Sequence, residues 1–151
     1  MFSQLKPLPP EVKIRPADWS ADENSIANIR RRVFIEEQSV PDEMEWETID
    51  PECAWFVAQA ADGLVGIARL TSTGRIGRMA VLAGWRGKSI GSSLLVMALD
   101  AARQRDMPHV VLHAQSHAIA FYQRFGFAVA GSEFMEAGIP HRVMELDLRG
   151  H

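Results

Sequence analysis

The chain reads as one α/β (α+β) domain whose mixed, mostly antiparallel sheet is flanked by helices. Three observations predict it. Strand-like runs and helical periodicities alternate along 151 residues of 47% apolar content, enough for one core and cramped for two. Two turn signals, Asp62-Gly63 and Gly138-Ile139-Pro140, each sit between strand-like runs, as hairpins require. Between them, residues 76–105 read as strand, glycine-rich turn and strongly periodic helix.

Residues 1–10 are Pro-rich and are expected to form a flexible tail, leaving 11–151 as the domain. Val12 to Arg15 can form a first strand. Ser20-Ala21-Asp22-Glu23 has the spacing of a capping box, opening a helix with Ile26, Ile29, Val33 and Phe34 on one face. Arg30-Arg31-Arg32 is expected on its solvated face. Residues 38–52 should be irregular, because Pro41 and Pro51 block regular structure. Ala54 to Ala60 and Leu64 to Leu70 are strands around Asp62-Gly63, a pair suited to the positive φ of a type I′ turn. After a turn at Gly74 comes a strand to Leu82. In the following helix Ile90, Leu94, Met97, Ala98 and Ala101 fall on one face. His109 to Ala114 is a short strand, and a short helix runs to Gly126, a residue suited to the left-handed conformation that closes a helix. Ala128 to Met135 and Val143 to Leu148 form a last hairpin.

Composition excludes several classes. Net charge is −3, and no basic cluster exists beyond the arginine triplet, so a nucleic-acid footprint is absent. Cys53 is the single cysteine, which rules out an internal disulfide and fits a reducing compartment. Residues 1–10 lack an apolar signal region, and no apolar run approaches the roughly 20 residues needed to span a bilayer. A soluble cytoplasmic protein without a membrane partner is expected.

The most informative stretch is Arg86-Gly87-Lys88-Ser89-Ile90-Gly91. A glycine-rich strand-to-helix turn aims unpaired backbone N–H groups outward at the positive end of the helix dipole, where phosphate binds. A P-loop would need glycine where Leu82 stands, and no Gly-x-Gly-x-x-Gly follows an early strand. The stretch instead resembles the acyl-CoA loop of the GNAT acetyltransferase superfamily, Arg/Gln-x-x-Gly-x-Gly/Ala, with Ser89 where glycine is usual. That substitution suggests a turn without positive φ at residue 89. A second resemblance follows at Gln115-Ser116-His117-Ala118-Ile119-Ala120-Phe121-Tyr122-Gln123-Arg124-Phe125-Gly126-Phe127, where the superfamily carries Asn-x-x-Ala-x-x-Phe-Tyr-x-x-x-Gly-Phe. Only the asparagine differs, replaced by Gln115. Arg32 to Pro41 and Glu136 to His141 resemble the ElaA-like branch, a bacterial group.

The resemblance, over about residues 12–148, implies the GNAT acyl-CoA N-acyltransferase fold, with two neighbouring parallel strands splayed to admit the pantetheine arm. It implies an N-acetyltransferase that moves an acetyl group from acetyl-CoA to a primary amine in a ternary complex, with no metal. A homodimer is compatible with it. Arg86, Gly87, Lys88, Ser89, Ile90, Gly91 and Ser92 would hold the phosphates. Met79, Ala80 and Val81 would pair with the pantetheine, and Gln115, Phe121 and Tyr122 complete the implied coenzyme site. Core packing is the competing role for Phe121 and Phe125. Tyr122 would protonate the departing thiolate, its phenol having an ordinary pKa of about 10.

The base is open. Many GNAT enzymes place a carboxylate on the strand before the loop, but residues 75–82 hold none and offer Arg78. Glu36, Glu37, His113, Glu133 and His141 are candidates. His113 leads, because alternation puts it on one strand face with Gln115. Residues 36–52 hold eight carboxylates and no Lys or Arg, which could draw a cationic acceptor or simply form a solvated loop. Trp46 and Trp55 could be packing residues. A GNAT-like module that binds CoA without catalysis is the alternative function.

Overall fold

The computed structural model describes residues 7–41, 45–47 and 49–149. Most of the expected tail, and Asp42, Glu43, Met44 and Thr48 of the acidic segment, lie outside them. Leu8, inside the expected tail, is half-buried against the core. In order, the chain forms β1 (Lys13–Pro16), α1 (Trp19–Arg30) with a π-helical continuation (Arg31–Glu37), β2 (Ala54–Ala60), β3 (Gly63–Leu70) and β4 (Ile76–Val81). There follow α2 (Ile90–Gln104), β5 (His109–Gln115), α3 (Ile119–Gln123), β6 (Ala128–Val129), β7 (Phe134–Glu136) and β8 (Ile139–Asp147). One antiparallel sheet runs β1-β2-β3-β4; the other runs β5-β8-β6, with β7 also on β8. A single parallel bridge, Arg75 to Val111, joins them.

Both faces of β2 are buried, and alternation sorts its side chains. Trp55 and Val57 meet Ile26, Ile29 and Val33 of the first helical segment. Phe56, Ala58 and Ala60 join the larger core with Leu94, Leu95, Ala98 and Leu99 of α2. Gly66 on β3 makes the α2 contact close: a Cβ there would lie 3.0 Å from both Ile90 Cγ2 and Leu94 Cδ1. The start of α2 is therefore pressed against the sheet that carries β4.

Several local expectations are corrected. The cap of α1 is Asp18, whose carboxylate accepts from Ser20 N at 3.2 Å while Asp22 accepts from Asp18 N at 2.9 Å. The helix starts one residue before the expected Ser20 cap because this aspartate pair satisfies its first donors. Arg30 is not solvated: it is 1% exposed, held by Glu45 and Asp50. In the β2–β3 turn only Gly63 has positive φ (137°), so the turn is not type I′, and a register shift between Ala58 and Gln59 absorbs the mismatch. The late hairpin has that signature instead, with Ala137 at φ 52° and Gly138 at φ 76° between Glu136 and Ile139. Ile139 and Pro140 belong to β8.

Candidate active site

After the Arg75–Val111 bridge, β4 and β5 diverge. The wedge between them is a cavity of about 640 Å³ lined by Arg75 to Val81, by Leu112, His113 and Gln115, and by Tyr122. The far edge of β4 forms no further bridge to β5 among the described residues, so its backbone groups face the wedge. Within β4, Gly77 opposes Arg69 while Ala80 opposes Ile67, leaving one extra residue in the strand. That bulge coincides with Arg78 at φ 48°.

At the mouth of the wedge, a turn of 3-10 helix at Ala83–Trp85 leads into the glycine-rich loop. Gly87 has φ 76°, and nothing lies within 4 Å of where its Cβ would be. Ser89 adopts φ 67°, against the expectation drawn from its replacing glycine; the turn keeps its left-handed residue and strains a side chain there. No side chain caps α2 at Ser89. Its first-turn N–H groups are therefore left for a ligand or solvent. Ile90 is 1% exposed and gives its side chain to the core, so only its backbone can serve the loop. Ser93 spends its hydroxyl on Ser89 O at 2.8 Å. Lys88 is exposed. Arg86 donates to Val81 O at 2.9 Å and to both oxygens of Glu37 at 2.8 Å. The hydrogen bond between them pushes the Arg86 pKa up and the Glu37 pKa down.

Tyr122 lines the wedge from α3, its hydroxyl 3.8 Å from Met79 Sδ. Burial raises its pKa to about 12, because the phenolate would lose its hydration. Phe121, one residue earlier, packs against the core, its ring edge-on to Tyr122 at 5.0 Å and tilted against Phe125 at 5.4 Å.

Within the acidic segment, Glu36 and Glu52 are exposed, whereas Glu45, Glu47 and Asp50 are held by arginines. Arg30 reaches Glu45 at 2.6 Å and Asp50 at 2.9 Å, and Arg69 reaches Glu47 and Asp50 at 2.8 Å. Arg78 holds Glu47 at 2.9 Å and stands 3.5 Å from Glu45. Burial raises the Glu45 pKa despite Arg30 and Arg78. At Asp50 burial acts upward too, but the hydrogen bonds from Arg30, the Glu47 backbone and Arg69 prevail and the pKa falls. Burial lowers that of Arg78. Trp55 stacks on Trp19 at 5.6 Å and donates to Asp50 O at 2.9 Å, while Trp46 lies 4.7 Å below the Arg30 guanidinium.

The candidate bases separate. Glu133 accepts from Ser116 Oγ at 3.0 Å, and Glu36 is exposed; neither lines the wedge. His113 and His141 both do, and both approach one carboxylate that the sequence reading passed over. Glu136 Oε1 lies 3.2 Å from His113 Nδ1, and its Oε2 lies 3.7 Å from His141 Nε2. His113 Nδ1 is also 3.0 Å from Arg75 Nη2. His141 Nδ1 is 2.7 Å from Ile139 O, and a carbonyl can only accept, so this nitrogen carries the proton. Phe134 packs against both rings at 5.2 and 6.0 Å. Gln115 reaches across the wedge to Gln38 Oε1 at 3.0 Å. Alternation on β7, which puts Phe134 and Glu136 on one face, is the signal that could have found Glu136. A second cavity of about 410 Å³ adjoins the wedge, sharing Arg75, Arg78, Gln115, Glu136 and His141 with it and adding Glu45, Trp46 and Glu47.

No helix among the described residues is long and apolar enough to cross a membrane. Residues 17–148 match the acetyltransferase (GNAT) domain family. The uncharacterized N-acetyltransferase YjcF of Bacillus subtilis is 32% identical over 123 residues, which cover 79% of this chain and 88% of YjcF. Protein ElaA of Escherichia coli is 30% identical over 126 residues, 78% of this chain and 82% of ElaA. Its crystal structure aligns at a TM-score of 0.76 and 27% identity, over 88% of this chain and 98% of that one. YncA of Salmonella typhimurium, solved with its cofactor acetyl-CoA, shares the fold at a TM-score of 0.73 and 19% identity, over 93% of this chain and 96% of that one. A splayed pair of parallel strands, an uncapped helix start at its mouth and a family match over nearly the whole length converge: the chain belongs to the GNAT acetyltransferase family and is an acyltransferase enzyme.

Proposed function

We propose that the protein transfers an acetyl group from acetyl-CoA directly to a primary amine held beside it in a ternary complex. The observation that carries this reading is the wedge between β4 and β5, with the uncapped start of α2 at its mouth and a buried phenol in its wall. In it, backbone N–H groups from Gly87 to Ser92 take the pyrophosphate, with Lys88 and Arg86 adding charge. The bare edge of β4 at Met79, Ala80 and Val81 pairs with the pantetheine like an added strand. Gln115 lines the same wall, and Phe121 supports Tyr122 from behind.

The chemistry then follows from positions. The amine nitrogen attacks the thioester carbonyl, a C–N bond forms, and the C–S bond breaks. One of the β4 backbone N–H groups beside the Arg78 bulge stabilises the oxyanion. Tyr122 gives its proton to the departing thiolate. His113 takes the proton from the amine, directly or through water. With the proton on Nδ1, donated to Glu136 Oε1 at 3.2 Å, Nε2 is the unprotonated nitrogen left for that task.

Titration calorimetry with acetyl-CoA tests the first half; micromolar affinity, about −8 kcal/mol, is expected. Thiol release across polyamines, amino acids, aminoglycosides and peptides tests the second. Binding without turnover of any amine would leave a coenzyme-binding module. No binding overturns the reading.

A further inference from the structure

The cavity beside the wedge has a composition that narrows the acceptor. Resting on the transferase reading above, we infer that the acceptor is an amine carrying an acidic group close to its nitrogen, an α-amino acid in the simplest case, rather than a polyamine. The juxtaposition behind this is Arg75 beside Glu136: guanidinium and carboxylate stand 3.8 Å apart, and both line the wedge and the adjoining cavity. The ammonium and carboxylate of an α-amino acid are separated by two bonds, so the molecule presents the complementary pair of charges at matching distance.

Charge balance points the same way. Arg30, Arg69 and Arg78 face Glu45, Glu47 and Asp50, three cations against three anions, and Arg75 faces Glu136. Among the described residues the acceptor side is therefore neutral and dipolar. A polycation would find its carboxylates already held by arginines, at a desolvation cost that nothing returns. A zwitterion adds no net charge. Arg78 lines both cavities as well and offers a second guanidinium within reach of the acid group. At about 410 Å³ the cavity stands at the small end of the roughly 300–1,000 Å³ range of ligand pockets, which suits an amino acid better than a long peptide.

In this assignment the acid group rests on Arg75, with Arg78 in reach, and the amine nitrogen faces Glu136 and His113. The nitrogen loses its proton to His113 and attacks the thioester carbonyl. The products are the N-acetyl amino acid and the CoA thiol, whose proton comes from Tyr122.

The experiment uses matched pairs: lysine against cadaverine, phenylalanine against phenethylamine, and glutamate against 4-aminobutyrate, which lacks the α-carboxylate and keeps only the acid group remote from the amine. Thiol release from acetyl-CoA is followed with the purified protein. Each α-amino acid is expected to exceed its partner by at least tenfold in kcat/KM. Arg75→Gln should collapse that ratio toward one, whereas Arg75→Lys should keep a preference. A ratio measured within one preparation does not depend on how much of a variant is folded. Amines used as well as the acids, or a preference that survives Arg75→Gln, overturns the inference and leaves the transferase standing. No thiol release with any acid or amine overturns both.

Discussion

Arg86 grips Glu37 with both terminal guanidinium nitrogens, each at 2.8 Å, and so ties the loop that opens α2 to the last residue of the π-helical segment. The charge that the sequence offered to a phosphate is shared with a carboxylate from the other lip of the wedge. Glu37→Gln should free it. Acetyl-CoA should then bind two- to fivefold tighter by calorimetry, while Arg86→Ala weakens binding several-fold. Both partners are close to half exposed, so melting should move little in either variant, by no more than about 1 kcal/mol. If Glu37→Gln instead raises only the acceptor KM, the residue serves the amine and not the coenzyme.

Gly91 separates fold from ligand. A Cβ there would meet only Val81 Cγ2, at an ordinary 3.9 Å, so the protein itself tolerates a side chain. Gly91→Val should melt within a few degrees of the parent and yet lose more than tenfold in acetyl-CoA affinity, because the valine occupies the space a phosphate needs. Retained affinity would move the phosphate site off the start of α2.

Tyr122 is the one tyrosine in the chain, so its titration can be read directly from tyrosinate absorbance. A midpoint near 12 rather than the ordinary value of about 10 is expected, since burial disfavours the phenolate. The alkaline fall in rate should accordingly lie well above pH 10. The linkage has a definite sign. The folded pKa is the higher one, so the contribution is fully present below about pH 10 and is lost as pH rises toward 12, by up to about 3 kcal/mol. Tyr122→Phe removes that slope from the stability profile and should lower kcat by roughly 10²–10⁴-fold with acetyl-CoA affinity kept. Near-normal kcat would hand the proton to solvent.

His113→Gln should lower the acceptor kcat/KM by about 10²-fold and leave acetyl-CoA affinity alone. The defect should shrink as pH rises toward the amine pKa of about 10.4 for an alkylamine, because free amine then no longer needs a base. Glu136→Gln should produce a smaller defect with the same pH trend, through loss of the ring's orientation. A defect independent of pH would assign both residues to packing.

Arg30→Ala should cost about 3–5 kcal/mol, since it strands Glu45 and Asp50 as buried carboxylates. Arg32→Ala, two positions on and exposed, should stay within about 0.5 kcal/mol. Thermal melting of the two side by side checks the contrast. Equal effects would mean the guanidinium is replaced by water at little cost.

These residues mark where sequence was legible. Apolar periodicity located α2 because Leu94, Ala98 and Ala101 repeat a local pattern that owes nothing to distant partners. The strand–glycine–helix context located the turn into α2 for the same reason. Arg31 and Arg32 are exposed as expected, but Arg30 was misread because what buries it lies 15 and 20 residues away, in a segment whose acidity looked like solvation. Ser89 was misread because turn geometry, set by the start of α2 packed on Gly66, overrides the reluctance of a serine to take positive φ. Glu136 carries only the alternation of β7, which by itself does not mark it as part of a site. Its meaning comes from β7 and β5 both pairing with β8, which brings two histidines to one carboxylate.

A strand with one bare edge is ordinarily a template on which other chains add, a route to aggregation. β4 has such an edge in the middle of the molecule, where the second sheet peels away after Arg75. The recess protects it. The other wall of the wedge stands opposite this edge in a cavity of about 640 Å³, and Arg86 already covers the carbonyl of Val81 at the open end. A slender, side-chain-free arm suits the remaining groups. The divergence that exposes these hydrogen bonds thus also recesses them from other chains.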